Sequence, residues 1–214
     1  MTDTGLKELA PLKGLQELNL DGTKVTDAGL KELAALKELK TLSLGGTKVT
    51  DAGLKELTPL IGLQELALKN TQVTDTGLKE LAALQGLQKL YLGHTKVTDA
   101  GLKELVPLKG LQSLDLYSTE VTGKGLKELA PLKELKTLSL AGEEVTDEGL
   151  KELAELKGLQ ELVLTDTLLV TDAGLKELAG LKGLKELHLT IGPEMTAAGL
   201  AELQKALPDC KIYR

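Results

Sequence analysis

The chain has 214 residues, a formal net charge of −6 and 42% hydrophobic residues, with three Tyr and neither Phe nor Trp. The acidic balance argues against nucleic acid and anionic membranes as partners, because both are bound through basic surfaces. No apolar run approaches the ~20 residues of a bilayer span. Met1–Gly5 lacks the basic and apolar parts of a signal peptide, and the single Cys210 can form no internal disulfide, so a cytoplasmic setting is expected.

A Thr-x-x-Gly-Leu-x-x-Leu unit begins at Thr2 and recurs every 24 residues at Thr26, Thr50, Thr74, Thr98, Thr122 and Thr146. It recurs at a spacing of 25 at Thr171 and Thr196. In chain order each copy predicts a short helix, a turn and a strand. The helix opens on the Thr, whose hydroxyl suits an N-cap, with the following Asp placed favourably for the helix dipole. Leu30, Leu33 and, more loosely, Leu36 share one helical face. Pro11, Pro59, Pro107 and Pro131 end the helix early. Gly14, Gly62, Gly86, Gly110, Gly158 and Gly183 suit a left-handed turn into the strand, although Glu38 and Glu134 hold that place in two copies. Leu-x-x-Leu-x-Leu follows, as in Leu39-Leu42-Leu44, and its alternation is that of a strand with one buried face.

One strand and one helix cannot bury their leucines alone, whereas stacked copies can. The pattern resembles the leucine-rich-repeat family, with similarity to the type found in F-box proteins and bacterial repeat proteins and a looser one to the ribonuclease-inhibitor type. The resemblance covers essentially the whole chain. It implies a right-handed α/β solenoid, with a parallel sheet on the concave face and short helices on the convex face. A single domain of about nine repeats over 1–214 is expected, with the last repeat (196–214) as C-terminal cap. F-box repeats often carry Cys where this chain has Thr23, Thr47, Thr71, Thr95 and Thr119, and hydroxyls there suggest a ladder of hydrogen bonds between coils. No F-box sequence is present, so a ubiquitin-ligase role does not carry over.

No nucleotide-binding loop, zinc-ligand spacing or nucleophile elbow occurs, and no cofactor or metal is expected. His94 and His188 lie about four coils apart, nearly 20 Å at the usual strand spacing. Ser118, His94 and Asp115 come nearest to a catalytic group, since Ser118 and His94 occupy one place in adjacent coils. An open sheet offers them no water-excluding pocket, so an enzyme is not expected. Rows such as Lys31-Glu32 and Lys55-Glu56 read as the wet face of the helices, with weak ion pairing.

Specificity has room only where the copies differ, at the outward positions of the strand and the turn after it. A central patch of Lys69, Lys89, Tyr91, His94, Asp115 and Tyr117 gathers two of the three tyrosines, and Tyr is a favoured interface anchor. A secondary patch of Val163, His188, Ile191 and one of Leu168 or Leu169 coincides with the 25-residue repeats. Glu143 stands where earlier coils hold Thr and is expected to swing outward, forming an acidic corner with Glu144, Asp147 and Glu148. No polar cap covers Leu6, Leu9, Leu15 and Leu18, so self-association through the N-terminal edge is expected as an option. The expected function is a non-enzymatic scaffold that binds an unidentified protein or peptide on the concave sheet. The alternative is a structural or consensus-designed repeat module without a dedicated partner.

Overall fold

The computed structural model describes residues 1–142 and 144–214, so the expectation for Glu143 lies outside the described residues. Nine strands form one parallel sheet in chain order: β1 (Glu17–Asn19), β2 (Thr41–Ser43), β3 (Glu65–Ala67), β4 (Lys89–Tyr91), β5 (Ser113–Asp115), β6 (Thr137–Ser139), β7 (Glu161–Leu164), β8 (Glu186–Leu189) and β9 (Lys211–Tyr213). The repeat period sets the register: Leu18, Leu42, Leu66, Leu90, Leu114, Leu138, Leu162 and Leu187 stand side by side, and Ile212 completes the row. Short helices return the chain on the other side, and because they are wider than strands the stack is an arc with the sheet on its concave face.

Between the layers the leucine rows join into one core cluster running from Leu6 to Cys210. The helical leucines fit it through local geometry. After the α-helical turn Asp27–Leu30 the chain tightens to a 3-10 helix over Lys31–Ala35. A 3-10 helix repeats every three residues, so Leu30, Leu33 and Leu36 align, and all three are fully buried. At the far end the longest helix, Ala197–Ala206, and β9 leave Leu203, Leu207 and Cys210 at most 4% exposed. Burial also pushes the Cys210 thiol above its ordinary value.

Two sequence expectations are corrected here. The threonines of the expected ladder bond within their own coil. The hydroxyls of Thr47, Thr71 and Thr95 each donate to the carbonyl three residues back, at 2.6 Å, and Thr119 does so at 2.8 Å. Thr23 Oγ1 is buried with no hydrogen-bond partner among the described residues. The glycines before the strand are not left-handed. Positive φ falls after the strand instead, at Gly22, Gly46, Asn70, His94, Ser118, Gly142 and Asp166, and outside that turn only at Gly123 among the described residues.

The ladder between coils is made by the Asp that the dipole argument undervalued. Asp51 takes the Thr74 backbone N–H on Oδ1 at 2.8 Å and the Thr74 hydroxyl on Oδ2 at 2.7 Å. The same Thr74 hydroxyl accepts the Thr76 N–H at 3.2 Å, which caps the helix of its own coil. Asp3, Asp27, Asp75, Asp147 and Asp172 repeat this bridge to the next Thr, and Asp99 makes a spread version shared with the N–H groups of Gly123 and Gly125. The Gly of the motif belongs to the same device. At Gly29, Gly53, Gly77, Gly101, Gly174 and Gly199 a Cβ would overlap the Asp carboxylate of the preceding coil.

One junction lacks the bridge. Gly123 replaces the Asp, and Thr146 meets the preceding coil through its N–H to the Thr122 carbonyl at 3.4 Å. There the backbones approach directly: a Cβ on Gly123 would lie 2.7 Å from the Gly149 Cα. The backbone bridges that run beside the ladder from Thr2↔Lys24 to Thr98↔Glu120 also stop before this junction among the described residues. The β6–β7 pairing persists, so the concave side alone keeps its regular coupling.

Asp51→Ala removes two charge-assisted bonds and is expected to destabilise the chain by about 2–4 kcal/mol. Asp51→Asn, which keeps an acceptor for the Thr74 N–H, is expected to cost about half as much. Urea denaturation checks both, and equal losses would reject the two-acceptor account.

Candidate functional site

The central patch sits on the open face of β3 to β5 and the turns that follow. Register places Ala67, Tyr91 and Asp115 side by side. With the small Ala67 on its β3 side, Tyr91 leaves room for Lys69 to cross its ring. The Lys69 Nζ lies 5.0 Å from the Tyr91 centroid and 2.6 Å from Asp115 Oδ2. Asp115 is 9% exposed, and its Oδ1 accepts the Tyr117 N–H at 2.9 Å. Tyr117 packs edge-on against His94 at 5.0 Å between centroids, and its hydroxyl donates to Asp166 Oδ2 at 3.2 Å. Lys89 stands aside from this chain of contacts and pairs with Glu65 at 3.1 Å. The structure therefore joins Lys69, Tyr91, Asp115, Tyr117 and His94 into one network and leaves Lys89 in a separate pair.

Glu65 and Asp166 are members that the sequence reasoning missed. Glu65 was legible, because it precedes Lys89 by one repeat in the same strand column. Asp166 was not, because the reach of the Tyr117 side chain across two coils is a matter of rotamer. That bond spans the junction without an Asp bridge, linking the turn after β5 to the turn after β7 on the concave side.

His94 and Ser118 belong to the turn position with positive φ, at 56° and 48°. Gly, Asn and Asp fill this position in the other coils where φ is positive, all residues that tolerate the left-handed region, and Ile191 holds the last place of the column without positive φ. Variation here is thus narrower than a free surface would allow. Ser118, His94 and Asp115 form no relay: Asp115 is committed to Lys69 and the Tyr117 N–H, and no hydrogen bond joins His94 to Ser118 among the described residues. No group of three or more possible metal ligands occurs among the described residues.

The secondary patch lies on β7 to β9 and the irregular turns beside them. Register sets Val163, His188 and Tyr213 side by side, and His188 stacks on Tyr213 at 4.6 Å with 14° between the rings. Tyr213 was missed because the column was read only as far as His188, although one further step of 25 residues reaches it. Ile191 is 48% exposed, and both Leu168 and Leu169 lie exposed in the widened turn. The His188 ring also approaches Glu186, with Nε2 3.8 Å from Oε2.

None of the four ion pairs among the described residues joins the convex Lys-Glu rows, so the weak pairing expected there is not formed. In the acidic corner, Glu148 pairs with Lys124 at 3.3 Å and Asp147 serves the ladder. At the N-terminal edge Leu6 is fully buried, Leu9, Leu15 and Leu18 are partly buried, and Leu12 is half exposed. No helix among the described residues is long and apolar enough to cross a membrane.

Comparison with known proteins places this geometry. A family model described as "Leucine Rich repeat" matches residues 15–34, 37–57, 63–82 and 85–106. Among solved structures, an internalin (inlF) from Listeria monocytogenes matches over 97% of this chain at 23% identity, with a TM-score of 0.73. An internalin C2 (inlC2) from the same organism matches over 98% at 27% identity, with a TM-score of 0.72. The chain spans 56% of the first of these and 91% of the second. No curated protein sequence matches the chain.

Two outcomes follow from the patch. His94→Val, which puts a β-branched residue at φ 56°, is expected to destabilise by about 2 kcal/mol, while His94→Asn stays close to neutral. Equal losses in urea melts would place the cost in the Tyr117 contact instead. The second concerns alkaline pH. Burial, followed by the Glu65 carboxylate, raises the Tyr91 hydroxyl above its ordinary 10.0, against the opposing pull of Lys89 and Lys69. Stability tied to neutral Tyr91 is therefore present below pH 10.0 and lost as pH rises through the folded value. The Glu65 hydrogen bond raises Lys89 as well, which acts in the same direction. Tyr91→Phe is expected to make the alkaline fall in Tm shallower without abolishing it, and an unchanged slope would reject the assignment.

Proposed function

This chain is a leucine-rich-repeat protein, and on that premise we propose that it is a non-enzymatic scaffold that holds a protein or peptide on its concave sheet. The fold supports a role in protein interaction. The observation that carries the finer reading is the network around Tyr91 and Tyr117. Five side chains on three adjacent strands and their turns are held by one another before any partner arrives. A pre-ordered surface loses less side-chain freedom on binding, and Tyr contributes large contact area with few torsions to freeze. Tyr91 and Tyr117 are the proposed anchors, and Lys69 and Asp115 position them.

The test is affinity capture from a lysate of the source organism, comparing the parent chain with Tyr91→Ala/Tyr117→Ala after both are shown to melt alike. The expected result is a partner held by the parent and weakened at least about tenfold in the variant, which is the scale of an anchor residue. A partner retained by both would move the working surface away from these tyrosines. No specific partner at all would favour the structural repeat module, which the close likeness of the copies also supports.

A further inference from the structure

The first outward column of the sheet is tolerant of residue type, holding Thr41, Ser113 and Thr137 as well as charge. Where it sets opposite charges side by side, Glu65 and Lys89 meet at 3.1 Å. On β7 and β8 it sets Glu161 directly beside Glu186. Neighbouring strands are about 4.8 Å apart, and like charges opposed at that distance are destabilising. Neither carboxylate forms an ion pair with Lys or Arg among the described residues. Glu161 accepts the Thr137 hydroxyl at 3.3 Å, and Glu186 has His188 at 3.8 Å. Lys211 follows Glu186 in the register but makes no ion pair with it. The fold does not require this repulsion, since Thr serves in the same column two other times.

Beside the two carboxylates, on the same strands, lie Val163, His188 and Tyr213, with His188 stacked on a Tyr213 that is 43% exposed. This end of the sheet face is therefore an aromatic and aliphatic strip bordered by two carboxylates that make no ion pair with Lys or Arg among the described residues, with Lys211 the next residue in their column. The central patch differs, because its two lysines are already paired with Asp115 and Glu65.

We propose that the face of β7 to β9 takes a basic segment of a protein partner in which cationic residues alternate with apolar ones. A Lys or Arg sits between Glu161 and Glu186, where it relieves their repulsion, and an apolar side chain lies on the His188–Tyr213 stack. Charge complementarity selects this occupant: an acidic segment is repelled here, and a purely polar basic one gains nothing from the stack. The inference rests on the concave sheet being the working surface.

The experiment titrates the 214-residue chain into three labelled peptides of equal length, alternating Lys/Leu, Lys/Ser and Glu/Leu, and reads fluorescence anisotropy at low salt. The Lys/Leu peptide is expected to bind, Lys/Ser to bind more weakly and Glu/Leu not at all. Glu161→Thr/Glu186→Thr is expected to weaken Lys/Leu binding about tenfold, a typical loss when a complementary charge is removed. The same variant should melt no lower than the parent, because Thr already occupies this column. Glu32→Thr/Glu56→Thr, which changes the net charge equally on the convex side, is expected to leave binding unchanged. Binding that survives in the Glu161/Glu186 variant, or that falls equally in the Glu32/Glu56 variant, overturns the proposal. If Tyr91→Ala/Tyr117→Ala alone abolishes binding, the concave reading stands and this inference falls. If neither concave variant changes binding, both fall.

Discussion

The bond from an Asp of one coil to the Thr that opens the next is the interaction on which the rest of the structure depends. Leucine rows supply the driving force for stacking, but apolar burial is non-directional and would tolerate sliding between coils. The carboxylate fixes the step. Its two oxygens take the N–H and the hydroxyl of one Thr, and that hydroxyl also caps the next helix. At Asp172 the Thr196 hydroxyl and then its N–H hold the carboxyl below the usual carboxylate range. At Gly29, Gly53, Gly77, Gly101, Gly174 and Gly199 the Gly three residues after the Thr makes room for the carboxylate, so Thr, Asp and Gly act as one device spread over two coils.

Because the helical side is locked in this way, the strands inherit an exact 24- or 25-residue register and the concave columns become a coordinate system for side chains. Adjacent copies place residues within reach that are far apart in the chain, such as Glu65 with Lys89 and Lys69 with Asp115. The locking is interrupted once, where Gly123 and Gly149 meet backbone to backbone. The Tyr117 hydroxyl reaches Asp166 across that same interval on the other face. The proposed binding surface and the weakest junction of the ladder therefore lie back to back, which ties the geometry of the site to the stiffness of the scaffold at that point.

The two concave patches differ in their electrostatics. The centre is internally ion-paired and its members contact one another, which suits shape recognition with little reorganisation. The C-terminal end sets two carboxylates without a Lys or Arg ion pair beside an exposed aromatic stack, which is the ground for the basic partner proposed there. On the proposed reading, a surface tolerant of sequence carries two different kinds of contact on one regular frame.

Periodicity was enough to determine the repeat length, the leucine core and the columns from which both patches were read, and the family resemblance implied the parallel sheet. A buried leucine at the wrong spacing has nowhere to go, so these features are written in the order of residues. The capping Thr was legible for the same reason, being a local interaction within one turn, although Thr2 makes no cap bond and the helix after Thr122 starts at Leu126 with Gly125 before it. The Asp bridge and its Gly were visible as a motif but misread, because their partners lie a whole coil away. The Thr hydroxyls were assigned to neighbouring coils when their own carbonyl lay closer. His94 and Ser118 looked like a free pair until the backbone placed them at positive φ. The reach of Lys69 over Tyr91, the Tyr117–Asp166 bond and the His188–Tyr213 stack were decided only by tertiary structure, because each depends on side-chain rotamers settling against strands brought together by the stacking of distant repeats.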